Sequence, residues 1–197
     1  MSGRILKATS DTKLDTPFSS RKFITSNKDL QHYTRHLPKS YYLLDKGNNI
    51  KHYDDLMSIN PNSIKNKRLA IIINTLSHKP TKNRSNIGHW ILLVKEKNGH
   101  CLLFDSLGTT YDTQKKIKNS INQFCFINHL RLVIWRLKTQ MPSSQCCGFA
   151  VIYFLHIFSK YGIKKMLFLK KELSSFSVYQ REHFILAKTY SLCKKFF

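Results

Sequence analysis

Acidic side chains are scarce in this sequence of 197 residues. Its 11 Asp and Glu stand against 33 Lys and Arg, so the formal net charge at pH 7 is +22. This imbalance exceeds what solubility requires and predicts a polyanionic partner, for which DNA bound without sequence specificity is the expected candidate. An AT-rich genome would explain the abundance of Lys, Asn and Ile, but not the shortage of acids. The alternative interpretation is a solvated lysine-rich surface.

Long apolar runs are missing as well. The longest, residues 149–158, contains His156 and is shorter than the roughly 18 residues that a membrane helix needs. Residues 1–15 lack the apolar stretch of a signal peptide, so neither secretion nor membrane contact is expected. The apolar fraction of 42% and the aromatic fraction of 12% exclude a wholly disordered chain. A chain of this length suits one domain, and we expect a monomer.

The cysteine pattern excludes two further kinds of site. The five cysteines are unevenly spaced, and Cys146 and Cys147 are adjacent, which disfavours a disulfide between those two. The sequence contains no C-x-x-C motif and no Cys/His array with the spacing of a zinc site. It therefore predicts reduced cysteines in an intracellular protein, and no metal.

Hydropathy patterning predicts strands in the middle of the chain and helices toward both ends. We interpret residues 1–27 as a polar, basic arm and residues 28–197 as one domain. This order predicts an α+β fold with a central mixed β-sheet of about five strands flanked by helices. The predicted strands are residues 69–74, 89–97, 101–107 and 130–138, and the predicted helices lie within 47–68, at 114–126, at 147–161 and within 163–197.

The turn between two of these strands decides which residues share a face of the sheet. Asn98-Gly99 is a strong hairpin signal. A two-residue turn would place His89 and Asp105 on opposite faces. A three-residue loop that starts at Lys97, with Gly99 left-handed, would place them on one face, one diagonal apart. We predict the three-residue loop, because a carboxylate inside an apolar strand needs a partner such as a histidine.

Cys147 stands at the start of a predicted buried helix. Unpaired backbone N–H groups and the helix dipole favour a thiolate there, and a protonated His89 would favour it further. Gly148 leaves room for a substrate backbone. Gln140, seven residues before the cysteine, can return to the same cleft and form an oxyanion hole with the Cys147 N–H. Each of these residues also has an ordinary explanation, since most cysteines at the start of a core helix only pack.

Four segments together resemble the adenovirus maturation protease family, the adenain family. They are AIIINT at residues 70–75, GHWIL at 88–92, LFDSLG at 103–108 and QMPSSQCCGF at 140–149. The resemblance implies a papain-like, ubiquitin-like-protein protease fold, with the nucleophile at the N-terminus of a buried central helix. The AT-rich composition suits a virophage or polinton-like virus better than an adenovirus.

The resemblance also implies a role for each residue of the site. No cofactor is required for the chemistry, and DNA or a viral peptide is the expected activator. The implied residues are Cys147 (nucleophile), His89 (general base, then acid), Asp105 (acid that orients the histidine) and Gln140 (oxyanion hole), with Trp90 and Gly148 in contact with substrate.

Three departures from the family pattern bear on these roles. Asp105 stands where the adenovirus enzyme has Glu, and the shorter acid can serve the same role. Cys146 precedes Cys147, but the following glycine and the spacing from the glutamine favour Cys147 as nucleophile. The family's activating peptide is joined through a disulfide. The matching position here is close to His129, and Cys125 is displaced from it.

The sequence as a whole predicts a viral cysteine endopeptidase that cleaves capsid and virion precursor proteins during particle maturation. It would act in the virion and in the virus factory or nucleus of the infected cell. The alternatives are a protease that deconjugates ubiquitin-like proteins, a basic DNA-packaging protein without enzymatic activity, and an acyltransferase. The residues expected to contact DNA surround the helix and strand before the active-site loop, and they are Lys115, Lys116, Lys118, Arg131 and Arg136, together with Lys138.

Overall fold

The computed structural model describes residue 30 and residues 50–77 and 88–193. The predicted arm at residues 1–27 lies outside them. In the described part, the strands form one sheet in the order β1-β2-β3-β4-β5, with parallel pairing at both edges and antiparallel pairing at the centre. The strands are β1 (Ile50–His52), β2 (Leu69–Asn74), β3 (Trp90–Lys95), β4 (His100–Asp105) and β5 (Arg131–Ile134).

Helices cover both faces of this sheet, so the predicted α+β class is confirmed. Strands β2 and β3 are buried along their whole length, as expected for strands with helices on both sides. In β2, Ala70 and Ile72 pack in one core, whereas Ile71 and Ile73 pack in the other. The helices are α1 (Pro61–Ile64), α2 (Thr110–Thr113), α3 (Lys115–Ile127), α4 (Cys147–Ser174) and α5 (Val178–Cys193), with a 3-10 helix at Tyr53–Ser58.

The β3–β4 hairpin has the predicted register. Ile91 pairs with Asp105, and Gly99 adopts the left-handed conformation with a φ of 82°. His89 lies two residues before Ile91, so it belongs to the same side of the hairpin as Asp105. The prediction of a three-residue loop is therefore confirmed.

Helix α4 is interrupted at Gly162, where φ is 77° and ψ is −176°. Arg68 and Glu96, an ion pair at 3.0 Å, satisfy the backbone groups that the break frees. Nη2 of Arg68 donates to the carbonyl of Phe158 at 2.5 Å, and Oε1 of Glu96 accepts from the N–H of Ile163 at 3.0 Å. The predicted helix end at residue 161 corresponds to this break, and the chain continues as a second helical segment, in line with the helices predicted within 163–197.

Two parts of the predicted secondary structure need correction. Strand β1 lies in the segment predicted to be a loop with a short helix. The predicted strand at residues 130–138 ends at Ile134, because the chain then leaves the sheet. The N–H groups of Thr139 and Gln140 donate to the carbonyl of Ser106 instead, at 2.8 and 3.0 Å.

In the part of the chain that the structure describes, no helix combines the length and apolarity needed to cross a bilayer.

Candidate active site

His89 and Asp105 meet at one end of the sheet. Nε2 of His89 lies 2.7 Å from Oδ1 of Asp105. Thr75 holds the backbone of His89 through two hydrogen bonds of 2.9 Å. The N–H of Thr75 donates to the carbonyl of His89, and the N–H of His89 donates to Oγ1 of Thr75. The side chain of Asp105 also accepts from the N–H groups of Leu107 at 3.0 Å and Thr110 at 2.7 Å. The carboxylate, in a residue only 1% exposed, is therefore held by a histidine and two backbone donors.

Cys147 lies at the other side of the histidine ring. Its sulfur forms a hydrogen bond with His89 and accepts hydrogen bonds from the backbone N–H groups of Trp90 and Gly148. Since Nε2 of the ring faces Asp105, Nδ1 is the nitrogen left for the sulfur. The structure thus brings together the three residues predicted to form a catalytic triad, in the order cysteine, histidine and aspartate.

The three groups stabilise one another's charged forms. Burial raises the pKa of Cys147, but hydrogen bonding to the positive His89 outweighs it, and this pKa lies below its ordinary value. Burial acts against the imidazolium too, yet the bonds to Asp105 and Cys147 raise the pKa of His89 to about 9. For Asp105, hydrogen bonds from His89 and Thr110 overcome burial and lower the pKa. These contacts favour a thiolate paired with an imidazolium.

The pKa of Cys146 is shifted in the opposite direction from that of Cys147. Burial raises the pKa of Cys146 to about 12, and the nearby carboxylate of Glu182 acts in the same direction. A thiol with this pKa stays protonated at pH 7 and is a weak nucleophile. The environment of the two adjacent cysteines therefore favours Cys147 as the reactive one.

Gln140 is buried in the loop between β5 and α4, with both ends of its amide engaged. Its Oε1 accepts from Oγ of Ser106, and its Nε2 donates to the carbonyl of Ser144, both at 2.6 Å. The amide carries two N–H groups, so one of them is left to bind another acceptor. The role of Gln140 in an oxyanion hole stays a prediction.

Trp90 and Gly148, the residues expected to contact substrate, both lie beside the nucleophile. Each turns its backbone N–H to the sulfur of Cys147, and both residues are buried. Their contacts with substrate stay predictions. Sequence reasoning missed Ser106 and Thr110, although both follow Asp105 closely along the chain.

The basic residues expected to contact DNA lie on several elements, and only Lys118 and Arg136 share a neighbour, Asp112. Nε of Arg136 pairs with Asp112 at 3.0 Å, Lys118 also stabilises that carboxylate, and Nζ of Lys118 lies 5.5 Å from the ring of Tyr111. Lys115 and Lys116 precede Lys118 in the first turn of α3, and Arg131 lies on the edge strand β5. All five are exposed: Lys115, Lys116, Lys118, Arg131 and Arg136.

Cys101 and Cys125 lie in the core on the opposite face of the sheet from Cys147. Sγ of Cys125 is 4.0 Å from Sγ of Cys101 in the core, and both are free thiols. The cysteine nearest the family's disulfide position is therefore buried against another thiol. Within residues 50–77 and 88–193, no three His, Cys, Asp or Glu side chains are grouped as metal ligands.

Comparison with known proteins adds a remote structural likeness. No protein-family model and no curated protein matches the chain. Among solved structures, ChlaDub1 from Chlamydia trachomatis is similar over 64% of this chain, with 16% sequence identity and a TM-score of 0.42. The match spans 59% of the ChlaDub1 chain. A likeness this distant assigns no function, so the chemistry of the site has to be inferred from its own geometry.

Proposed function

We propose that this protein is a cysteine peptidase with Cys147 as its nucleophile. The observation that carries the proposal is the continuous contact from the Cys147 sulfur through His89 to Asp105. The lowered pKa of Cys147 favours the attacking thiolate before substrate binds. The raised pKa of His89, about 9, keeps a proton ready for the leaving group.

The reaction proceeds through an acyl-enzyme. Sγ of Cys147 attacks the scissile carbonyl carbon, and the C–S bond forms as the carbonyl oxygen becomes an oxyanion. The free N–H of Gln140 and the backbone N–H of Cys147 stabilise this oxygen. His89 then gives its proton to the leaving amine as the C–N bond breaks. In the second step neutral His89 takes a proton from water, whose oxygen attacks the thioester and releases the carboxylic acid and the thiolate.

The substrates we propose are the capsid and virion precursor proteins of a virus, cleaved during particle maturation. The support for this substrate class is the resemblance to the adenain family in the four segments around the site. The enzyme would then act inside the assembling particle, in the virion and the infected cell.

DNA is the proposed polyanionic partner. The net charge of +22 supports this, and so do Lys115, Lys116 and Lys118, which occupy the first turn of α3 with no acid beside them in that turn. The helix dipole favours anions at this end of α3 and disfavours three cations there. A bound phosphate would neutralise these cations and would itself be favoured by the dipole. DNA would concentrate enzyme and precursor on one strand, an effect that falls steeply with salt.

The experiment that tests this function uses the recombinant protein and the capsid precursors encoded in the same genome. The two are incubated at low salt with and without DNA, and mass spectrometry identifies new N-termini. We expect defined cleavages, faster with DNA, that are absent in Cys147→Ala. Cleavage that persists in Cys147→Ala contradicts the proposed nucleophile. Reaction with a ubiquitin-like C-terminal probe, without precursor cleavage, would identify a deconjugating protease instead.

A further inference from the structure

Glu182 is a buried carboxylate on helix α5 that contacts the active-site loop, which is the loop of residues 135–146 between β5 and α4. The residue is 5% exposed, and its Oε2 accepts a hydrogen bond from the N–H of Met141 at 2.5 Å. It also hydrogen-bonds with the thiol of Cys146. Met141 directly follows Gln140, and Cys146 directly precedes Cys147. One side chain therefore holds the loop beside both of the groups that would bind the oxyanion.

Arg181, the preceding residue of α5, holds the start of the same loop. Its Nη1 donates to the carbonyl of Lys138 at 2.8 Å. Its Nε and Nη2 donate to the carbonyls of Leu173 and Ser174 at the end of α4, at 2.7 and 3.2 Å. Arg181 thus ties the active-site loop to the end of the helix that carries the nucleophile, and the next residue of α5, Glu182, holds the loop itself.

The chemistry of Cys146 explains how it can serve as an anchor. The pKa of about 12 keeps this thiol protonated, so that it can donate to a carboxylate. Burying a carboxylate is unfavourable unless donors satisfy it, and an apolar side chain at this position would avoid that cost. A buried acid whose carboxylate accepts from the loop therefore points to a function in holding the loop rather than to packing alone.

We propose that Glu182 is a positioning residue, which holds the active-site loop so that the side-chain amide of Gln140 and the N–H of Cys147 converge on the oxyanion. This inference rests on the proposed peptidase function. Glu182 does not touch substrate in this scheme. It acts through the peptide bond that joins Gln140 to Met141, because its carboxylate accepts the hydrogen bond of the Met141 N–H.

The test compares Glu182→Ala and Glu182→Gln with Glu172→Ala, a control on the exposed side of α4. Three quantities are measured for each variant: kcat and KM on a cleaved peptide, the rate at which iodoacetamide alkylates Cys147, and the thermal unfolding temperature. Alkylation forms no oxyanion, so it reports the thiolate alone. The combination separates loop positioning from a general loss of structure.

We expect kcat of Glu182→Ala to fall by about 10–100-fold, because displaced oxyanion donors lose transition-state stabilisation. We expect KM and the alkylation rate to stay unchanged. Glu182→Gln keeps an acceptor for the Met141 N–H and restores most of kcat, while the control behaves as wild type. If Glu182→Ala does not fold, Glu182→Met, which fills the space without an acceptor, replaces it.

Two outcomes would overturn the inference. One is a kcat of Glu182→Ala or Glu182→Met equal to that of wild type, and the other is a parallel loss of kcat and alkylation, which would indicate a merely structural role. Failure of the peptidase function itself is distinguishable, because wild type would then cleave no peptide.

Discussion

Ile91 lies directly opposite Asp105 in the β3–β4 hairpin. Because side chains alternate along a strand, this pairing sets His89 on the side of the carboxylate, where its Nε2 comes within 2.7 Å of Oδ1. A shift of one residue would turn the two side chains apart. The contact on which the proposed chemistry depends is therefore decided by the loop that ends at Gly99.

The first prediction concerns that loop. Gly99→Ala should lower the free energy of unfolding by about 1–2 kcal/mol, because a side chain disfavours a left-handed backbone. Space is not the cause, since an added Cβ would lie 3.5 Å from the nearest atom. Urea unfolding measures the change. Lys97→Ala, an exposed position in the same loop, is the control and should stay within about 0.5 kcal/mol of wild type; equal losses in both variants would argue against the strain.

The second prediction concerns the acid of the triad. Asp105→Asn should reduce kcat by about 10²–10⁴-fold, because the amide cannot accept from His89, Leu107 and Thr110 together and cannot stabilise the imidazolium. Steady-state kinetics on a cleaved peptide measures the loss. Asp112→Asn, an exposed acid paired with Arg136, is the matched control. Similar kinetics for the two variants would remove Asp105 from the mechanism.

The third prediction is a pH profile. Alkylation of Cys147 should rise with pH and reach half of its plateau at a lower pH than an ordinary thiol does. Peptide cleavage should fall as pH rises past about 9, where His89 loses its proton. His89→Ala removes the largest influence that lowers the pKa of the thiol, and burial is then opposed only by the N–H groups of Trp90 and Gly148. The pKa should therefore rise, and alkylation at pH 7 should slow by about tenfold.

The control for this profile is Cys146→Ala, which leaves the thiolate and its histidine in place. Its alkylation curve should coincide with that of wild type. Iodoacetamide modification found at Cys146 rather than Cys147, located by peptide mass spectrometry, would reverse the assignment of the two cysteines.

The fourth prediction concerns the break in helix α4. Arg68→Met should lower the free energy of unfolding by about 1–3 kcal/mol, because the Phe158 carbonyl loses its donor and the Glu96 carboxylate keeps only the N–H of Ile163. Lys65→Ala removes the same charge from an exposed position and should be near neutral. Urea unfolding of the two variants is the measurement, and a neutral Arg68→Met would show that water caps the break as well as Arg68 does.

Local sequence signals predicted much of the site. The Asn98-Gly99 turn determines the hairpin register from neighbouring residues alone, and Cys147 at the start of an apolar helix needs only helical periodicity. The apolar run of β2 likewise predicts a strand covered on both faces. In each case the decisive interaction lies within a few residues of the signal.

Contacts between distant segments could not be predicted in this way. Strand β1 has only three residues, all half-buried, and its pairing with Ile72 and the neighbours of Ile72 in β2 makes it a strand. Arg68 and Glu96 meet the break in α4 from far away in sequence. Glu182 reaches Met141 across 41 positions, and nothing in its own segment distinguishes it from a surface acid.

The most direct test of Cys147 as a peptidase nucleophile is cleavage of a diverse peptide library by wild type, Cys147→Ala and Cys146→Ala, with new termini counted by mass spectrometry. We expect wild type and Cys146→Ala to cut at the same sites and Cys147→Ala to cut at none. Cleavage retained in Cys147→Ala, or its absence from a wild-type preparation in which Cys147 alkylates readily at neutral pH, would contradict the assignment.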